Sequence, residues 1–97
     1  MTIYILHSCN EWKEYSSMNL LFVGTSKTKL KRKISKEIEA GNMEYSCFDD
    51  ASPKQQAKSF RKEFDEAIEN DSRWIDFINN RLTYGYLSCA ENNEEID

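Results

Sequence analysis

The residue types in this chain that could perform chemistry are one histidine and three cysteines: His7, Cys9, Cys47 and Cys89. His7 and Cys9 are two positions apart in a stretch with strand character. Their side chains would therefore share a face and could form a zinc site or a Cys–His nucleophile pair. The spacing matches no CxxC or HxxxH pattern, and no orienting group or oxyanion site accompanies the pair. We therefore expect a non-enzymatic protein with no metal, no cofactor and three free thiols.

The densest charge in the sequence is basic and lies between Lys27 and Lys36 (KTKLKRKISK), which hold six of the thirteen Lys and Arg residues. Residues 1–36 carry seven basic and two acidic side chains, whereas residues 37–97 carry six basic and fifteen acidic ones. A helix from Lys27 to Ala40 would separate an apolar stripe from a basic face. The stripe is Leu30, Ile34 and Ile38, and the lysine face is Lys29, Arg32, Lys33 and Lys36.

The turn before that helix, Gly24-Thr25-Ser26, could present backbone N–H groups and a helix N-terminus to a phosphate. It lacks the glycine count and the GK[ST] ending of a P-loop. Together with the lysine face, this turn defines an alternative function, a small-ligand binder that holds a phosphorylated or signalling nucleotide. A solvated surface is the other interpretation of the lysine face, because the whole chain is negatively charged.

Carboxylates dominate the second half of the chain and give the leading hypothesis. Helical carboxylates could present negative charge to a basic groove much as phosphates do, and aromatic side chains could anchor the contact. The acidic residues are Glu63, Asp65, Glu66, Glu69, Asp71 and Asp76, and the aromatic ones are Trp12, Tyr15, Tyr84 and Tyr86. The expected partner is a basic host protein such as a nuclease or another nucleic-acid-binding enzyme.

Short apolar segments predict the strands that must position these residues, at 2–8, 18–23, 43–48 and 83–89. The first has apolar residues on both faces, which indicates a central position. Its connection to the second is too short for a crossover helix, so the two should pair antiparallel. Tyr84 and Tyr86 should share a face of the last strand, and the loop with Trp12 and Tyr15 should project from the sheet.

A second helical region follows Ser52-Pro53-Lys54-Gln55, a sequence typical of a capping box. Its apolar stripe continues to Leu82. One helix over 53–82 would be about 45 Å long, so a break at 70–72 is predicted, recapped by Asp71 or Ser72. The fold class is α+β: a small antiparallel sheet of three to four strands packed on two to three helices, in the order β-β-α-(β)-α-α-β.

Length and composition indicate one domain at 1–90, followed by an acidic, frayed tail at 91–97. An odd number of cysteines without close pairing fits a reducing cytoplasm. The chain opens without a signal peptide pattern and has no apolar run long enough for a bilayer, so a soluble cytoplasmic protein without membrane contact is expected. These features leave the oligomeric state open.

Three segments give the chain a family resemblance: Tyr4-Ile5-Leu6, Phe22-Val23-Gly24-Thr25-Ser26 leading into lysines, and Leu82-Thr83-Tyr84-Gly85-Tyr86. With these segments the chain resembles the small α/β proteins encoded by phages and prophages. The resemblance implies a host-takeover or counter-defence role, in the host cytoplasm. Small acidic proteins of this anti-CRISPR-like type bind and block nucleases or sequester nucleotide signals. No active-site residue is implied, because none of the three segments is a functional motif.

Overall fold

The computed structural model describes residues 2–47 and 49–91. Within that part of the chain the strands are β1 (Thr2–Ser8), β2 (Asn19–Gly24), β3 (Glu44–Tyr45), β4 (Leu82–Thr83) and β5 (Gly85–Glu91). The helices are α1 (Lys27–Glu39), α2 (Pro53–Asn70) and α3 (Trp74–Arg81), and a 3-10 turn covers Tyr15–Ser17. None of these helices combines the length and hydropathy needed to cross a bilayer.

Strands β2, β1 and β5 form an antiparallel sheet with β1 in the centre. This confirms the α+β class, the central position of the first strand and its antiparallel pairing with the second. Strand β3 instead pairs with β4 in a separate two-stranded sheet. The predicted strand at 43–48 is too long, because the Tyr45 N–H donates to the Gln56 side chain at 3.0 Å and the Tyr45 ring enters the core.

A left-handed residue interrupts the last predicted strand. Tyr84 has φ = 69°, and the chain passes there from β4 to β5. Tyr84 consequently packs against the core while Tyr86 is exposed, so the prediction that both share a face is wrong. A Cβ at Gly85 would lie 2.7 Å from the Met43 Sδ, which explains the glycine. Of the predicted tail, Glu91 ends β5 and the remainder lies outside the described residues.

Helix α1 forms where the lysine-rich segment predicted it. Ser26 is its N-cap, and the Ser26 Oγ accepts the Lys29 N–H at 3.2 Å. Gly41 follows the helix with φ = 83°, the left-handed conformation that favours glycine after a helix end,. The predicted apolar stripe is fully buried: Leu30, Ile34 and Ile38.

Helix α2 begins with both hydrogen bonds of the predicted capping box. The Gln55 N–H donates to Ser52 Oγ at 3.3 Å, and the Ser52 N–H donates to Gln55 Oε1 at 2.8 Å. The predicted break is also confirmed, since α2 ends at Asn70 and α3 begins at Trp74. The predicted recapping is wrong, because the N-cap of α3 is Arg73. Asp71 closes the turn instead, by accepting the Arg73 N–H at 2.8 Å.

The helices cover one face of the sheet. Tyr4 and Leu6 of β1 and Leu87 of β5 are buried against them. A chain of aromatic contacts, with neighbouring ring centroids 5.3–5.5 Å apart, crosses this core. Its members are Tyr45, Phe60, Phe64, Trp74 and Tyr4. Because strand side chains alternate between faces, the remaining residues of the three strands form a second surface.

Candidate functional site

The outer face of the sheet, which points away from the helices, carries uncovered apolar side chains. Cross-strand pairing arranges it in two rows, Val23–Ile5–Ser88 and Leu20–His7–Tyr86. Leu20 is 59% exposed, Val23 55% and Tyr86 36%, and the adjacent loop adds Trp12 at 72% and Tyr15 at 90%. Monomeric soluble proteins rarely expose large contiguous apolar patches, so this cluster is a candidate interaction surface.

The loop between β1 and β2 is held in a defined shape, which fixes the position of its aromatic residues. The Asn10 Oδ1 accepts the backbone N–H groups of Trp12 at 3.2 Å and Glu14 at 3.0 Å. Lys13 adopts φ = 56° and its Nζ donates to the Asn79 backbone oxygen at 2.6 Å. The loop is thereby tied to α3, and its aromatic side chains project from an ordered backbone.

A groove of about 730 Å³ lies on the outer face beside this loop. It is lined by His7, Lys13, Tyr15, Met18, Leu20, Tyr86 and Ser88. A second groove of about 680 Å³ lies along α3 and shares Lys13 and Tyr86 with the first. The two make one extended concave surface that combines apolar lining with a few polar groups, as recognition sites commonly do.

The polar groups in and near the groove are poorly suited to nucleophilic chemistry. Burial raises the pKa of the Cys9 thiol, against a smaller opposing effect of Lys13, and a thiol that stays protonated is a poor nucleophile. Burial likewise lowers the Lys13 pKa, although Cys9 acts in the opposite direction. The His7 Nδ1 is shielded and has no hydrogen-bond partner within residues 2–47 and 49–91.

The four residues that could bind zinc are not brought together. Cys89 pairs with Tyr4 across the sheet, so it is on the side opposite to the row that holds His7. Among the residues that the structure describes, no group of three His, Cys, Asp or Glu residues could hold a metal ion. The three cysteines of this part of the chain are free thiols.

The structure gathers part of the predicted acidic set. Glu63, Glu66 and Asp71 line a depression of about 250 Å³ together with Phe77. Asp71 and Asp76 also line the groove along α3. These carboxylates therefore lie along one side of the extended concave surface, and we call this group the acidic rim. Glu69 is exposed on α2 and lines neither depression.

Two carboxylates of the acidic set already have partners within the chain. Glu63 accepts the Tyr45 hydroxyl at 2.6 Å and lies 3.6 Å from Arg81. Burial, followed by this hydrogen bond, raises the Tyr45 pKa. Asp65 pairs with Lys31 of α1 at 2.8 Å, on the side of α2 that faces away from the rim. The set that can meet a partner is thus smaller than the sequence predicted.

The lysine face forms a shallow depression of about 180 Å³, lined by Lys29, Arg32, Lys33 and Lys36. Lys33 pairs with Glu37 at 3.2 Å, while the other three cations form no ion pair with the described residues. The turn Gly24-Thr25-Ser26 does not line this depression, and its Ser26 Oγ is occupied by the helix. The two parts of the predicted nucleotide site are therefore separate.

The structure also separates the predicted aromatic residues, and it places two residues at the site that the sequence did not predict. Tyr15 and Tyr86 line the groove on the outer face, Trp12 is exposed in the loop between β1 and β2, and Tyr84 packs against the core. Sequence reasoning missed Leu20 and Val23, because a continuous apolar segment is typical of a buried strand. A bulge in β2 places both on the outer face, three positions apart, and this spacing gives no alternating signal.

Comparison with protein-family models, curated proteins and solved structures gives no match to this chain. The phage-type resemblance therefore stays a prediction.

Proposed function

We propose that this chain is a non-enzymatic binding protein that docks a partner protein on the outer face of its sheet. The observation that carries the proposal is the exposure of Leu20, Val23 and Tyr86 on the outer face, with Tyr15 in the same groove and Trp12 exposed in the adjacent loop. Water contact with these side chains is unfavourable by about 25 cal/mol per Å² of apolar surface. A partner that covers them recovers this free energy.

The structure of the loop supports an anchoring role for its aromatic residues. Binding costs about 0.5–1.5 kcal/mol for each flexible side chain that becomes immobilised, and Tyr and Trp keep this cost low because they have few rotatable bonds. The hydrogen bonds of Asn10 and Lys13 order the backbone before any partner arrives. Trp12 and Tyr15 are accordingly the side chains expected to act as hot spots.

The acidic rim supports a basic partner. Glu66, Asp71 and Asp76 form no ion pair with the described residues and lie beside the groove that ends at Tyr86. Complementary charge of this kind raises the association rate and orients the encounter. With the phage-type resemblance, this makes a nucleic-acid-handling or defence protein the partner class we propose, and its inhibition the consequence of binding.

Capture experiments with three variants test the proposal. Bait protein is incubated with host extract at low and high salt, and captured partners are identified by mass spectrometry. Tyr15→Ser combined with Tyr86→Ser should weaken capture at least about thirtyfold, the loss expected for removing hot spots of 2 kcal/mol or more. Glu66→Lys combined with Asp76→Lys should slow association mainly at low salt, because salt screens exposed charges.

The matched control reverses charge on the lysine face, which lines neither groove, with Lys29→Glu, Arg32→Glu and Lys36→Glu. It should leave capture by the outer face unchanged. Loss of the partner in this control alone, with full capture by the tyrosine variant, would refute the proposal. Circular dichroism of each variant separates loss of binding from loss of folding.

A phosphate-bearing small ligand on the lysine face is the second candidate function. It is favoured by Lys29, Arg32 and Lys36, which share a depression and have no ion pair among the described residues. The 180 Å³ depression is smaller than the ~300–1,000 Å³ typical of ligand pockets, so it could hold a phosphate group rather than a whole nucleotide. Calorimetric titration with nucleoside mono- and triphosphates tests it, with the lysine-face charge reversal as the non-binding control.

A further inference from the structure

The two edges of the sheet differ in how their backbone groups are satisfied. At the β5 edge, the Asn79 Nδ2 of α3 donates to the Leu87 oxygen at 2.6 Å, and the Asn79 Oδ1 accepts the Leu87 N–H at 2.7 Å. This side-chain amide reproduces the hydrogen-bond pair of a neighbouring strand. At the β2 edge, the described residues outside β1 offer no such partner to the backbone of Asn19–Gly24.

Strand β2 also lacks the residues that usually protect an open edge. Its sequence, NLLFVG, contains no charged residue and no proline, which are two of the devices that protect open edges. A bulge leaves Leu21 without a partner residue on β1, which bends the strand but adds no charge. An apolar, uncharged edge of this kind is a template for pairing with another strand.

The pattern of β2 identifies which strand would pair with it. Leu20 and Val23 are exposed on the outer face, and Leu21 and Phe22 between them are half-buried. The order of exposed and half-buried positions is the same from either end of Leu20–Val23, as a two-fold antiparallel contact requires. We propose that β2 pairs antiparallel with β2 of a second copy of this chain, with Leu20 opposite Val23 and Leu21 opposite Phe22 of that copy. The two three-stranded sheets would then form one six-stranded sheet.

The area that such a contact would cover is consistent with this arrangement. Burial of Tyr15, Leu20 and Val23 on both copies, together with the paired backbone, would remove on the order of 1,000 Å² of accessible surface from water. This is the lower limit for a specific interface, so we expect a weak, concentration-dependent dimer. Pairing at the β2 edge covers part of the outer face, namely Tyr15, Leu20 and Val23, but it does not depend on the proposed partner binding.

Sedimentation velocity with the full chain, from about 1 μM to about 1 mM, tests the proposal. The mass should rise from 11.4 kDa towards a plateau at twice that value. Leu20→Lys and Val23→Glu, made separately at exposed positions, should each weaken dimerisation at least about tenfold, because each places a charge opposite an apolar residue. The double variant should regain dimerisation, since the two-fold puts each introduced lysine opposite an introduced glutamate.

Ser88→Lys is the matched control, because it adds the same charge to the outer face away from the β2 edge. It should dimerise as the unmodified chain does. A monomer at every concentration, single variants that dimerise normally, a double variant that stays monomeric, or a Ser88→Lys variant that loses the dimer would each overturn the proposal. Continued growth beyond the dimer mass would also overturn it, because a two-fold edge contact closes after two copies.

Discussion

The side chain of Asn79 should contribute more to stability than any other exposed or half-buried asparagine in the described chain. Its amide makes two short hydrogen bonds to the backbone of Leu87, a residue with no exposed surface. Replacement by alanine removes both and leaves the Leu87 N–H and C=O facing a small void. The same substitution at the next position, Asn80→Ala, removes an exposed side chain from the same helix and is the matched control.

The expected loss follows from these two bonds. Each is worth about 0.5–1.5 kcal/mol net, and alanine returns up to about 0.7 kcal/mol of helix propensity. Because water would hydrate the unpaired Leu87 N–H and C=O only incompletely, a further loss adds to this sum. We therefore expect Asn79→Ala to lower the free energy of unfolding by about 1.5–3 kcal/mol. At about 4–8 °C per kcal/mol for a chain of this size, Tm should fall by roughly 6–24 °C. Asn80→Ala should change stability by less than about 0.5 kcal/mol.

Urea denaturation followed by the fluorescence of the buried Trp74 measures both variants, and amide hydrogen exchange localises the effect. Exchange at Leu87 should accelerate in Asn79→Ala more than the global loss of stability explains. Equal stabilities of the two variants, or unchanged protection at Leu87, would show that the amide does not close the β5 edge.

Asn79→Asp sharpens the same test. The carboxylate can accept the Leu87 N–H but cannot donate to the Leu87 oxygen, whereas the protonated acid can do both. The folded state should therefore raise the pKa of the introduced acid. Relative to the unmodified chain, the variant should regain stability as pH falls through that pKa. A deficit that does not change with pH would contradict the donor role assigned to Nδ2.

Three further predictions concern the core and the surface. Burial and the Glu63 hydrogen bond raise the Tyr45 pKa, so the folded state retains a proton that the unfolded chain loses near pH 10; stability should be full below pH ~10 and fall above it. Tyr45→Phe should lower stability by about 1–2 kcal/mol at pH 7 and flatten this alkaline loss in pH-dependent denaturation. What remains is the loss from Cys9, whose pKa is raised, and an opposing gain from Lys13, whose pKa is lowered in the folded state,. Gly85→Ala should lower the free energy of unfolding by about 1–3 kcal/mol, because the added methyl overpacks against Met43,. In a double-mutant cycle, Met43→Ala should recover part of this loss. Gly41→Ala, at a position with open space and φ = 83°, should show no coupling to Met43. Lys31→Ala should change stability by less than about 1 kcal/mol despite the 2.8 Å contact with Asp65, because Asp65 is largely exposed; a larger change in thermal denaturation would contradict this.

Local signals determined how much of the fold could be predicted. The capping box at Ser52 and the stripe of Leu30, Ile34 and Ile38 specify their helices through contacts within one or two turns, and the structure confirms them. The break of the last strand at Tyr84 could not be predicted in this way. A tyrosine with positive φ has no sequence signature, and the packing of Tyr84 against the core is a contact that only the folded chain provides.

The candidate site was harder to predict for a related reason. The loop aromatics Trp12 and Tyr15 were recognised because polar neighbours place them outside the strands. Leu20 and Val23 were not, because exposure depends on whether a helix covers a face, and that is a property of the assembled layers. The bulge at Leu21 adds a second obstacle, since it moves Val23 to the same face as Leu20, against the alternation expected of a regular strand.

The charge separation in the sequence is weaker in the folded chain than the two halves imply. Helices α1 and α2 pack side by side, and Lys31 of the basic segment pairs with Asp65 of the acidic half at 2.8 Å, so part of the basic segment is neutralised by the acidic half. Charge that remains without an ion pair in the described chain includes Lys29, Arg32 and Lys36 on α1, and Glu66, Asp71 and Asp76 of the acidic rim. At physiological salt, fields from these groups decay over about 8 Å. Charge should therefore orient a partner only at close approach, and the lifetime of the complex should depend on the aromatic residues of the loop and the outer face.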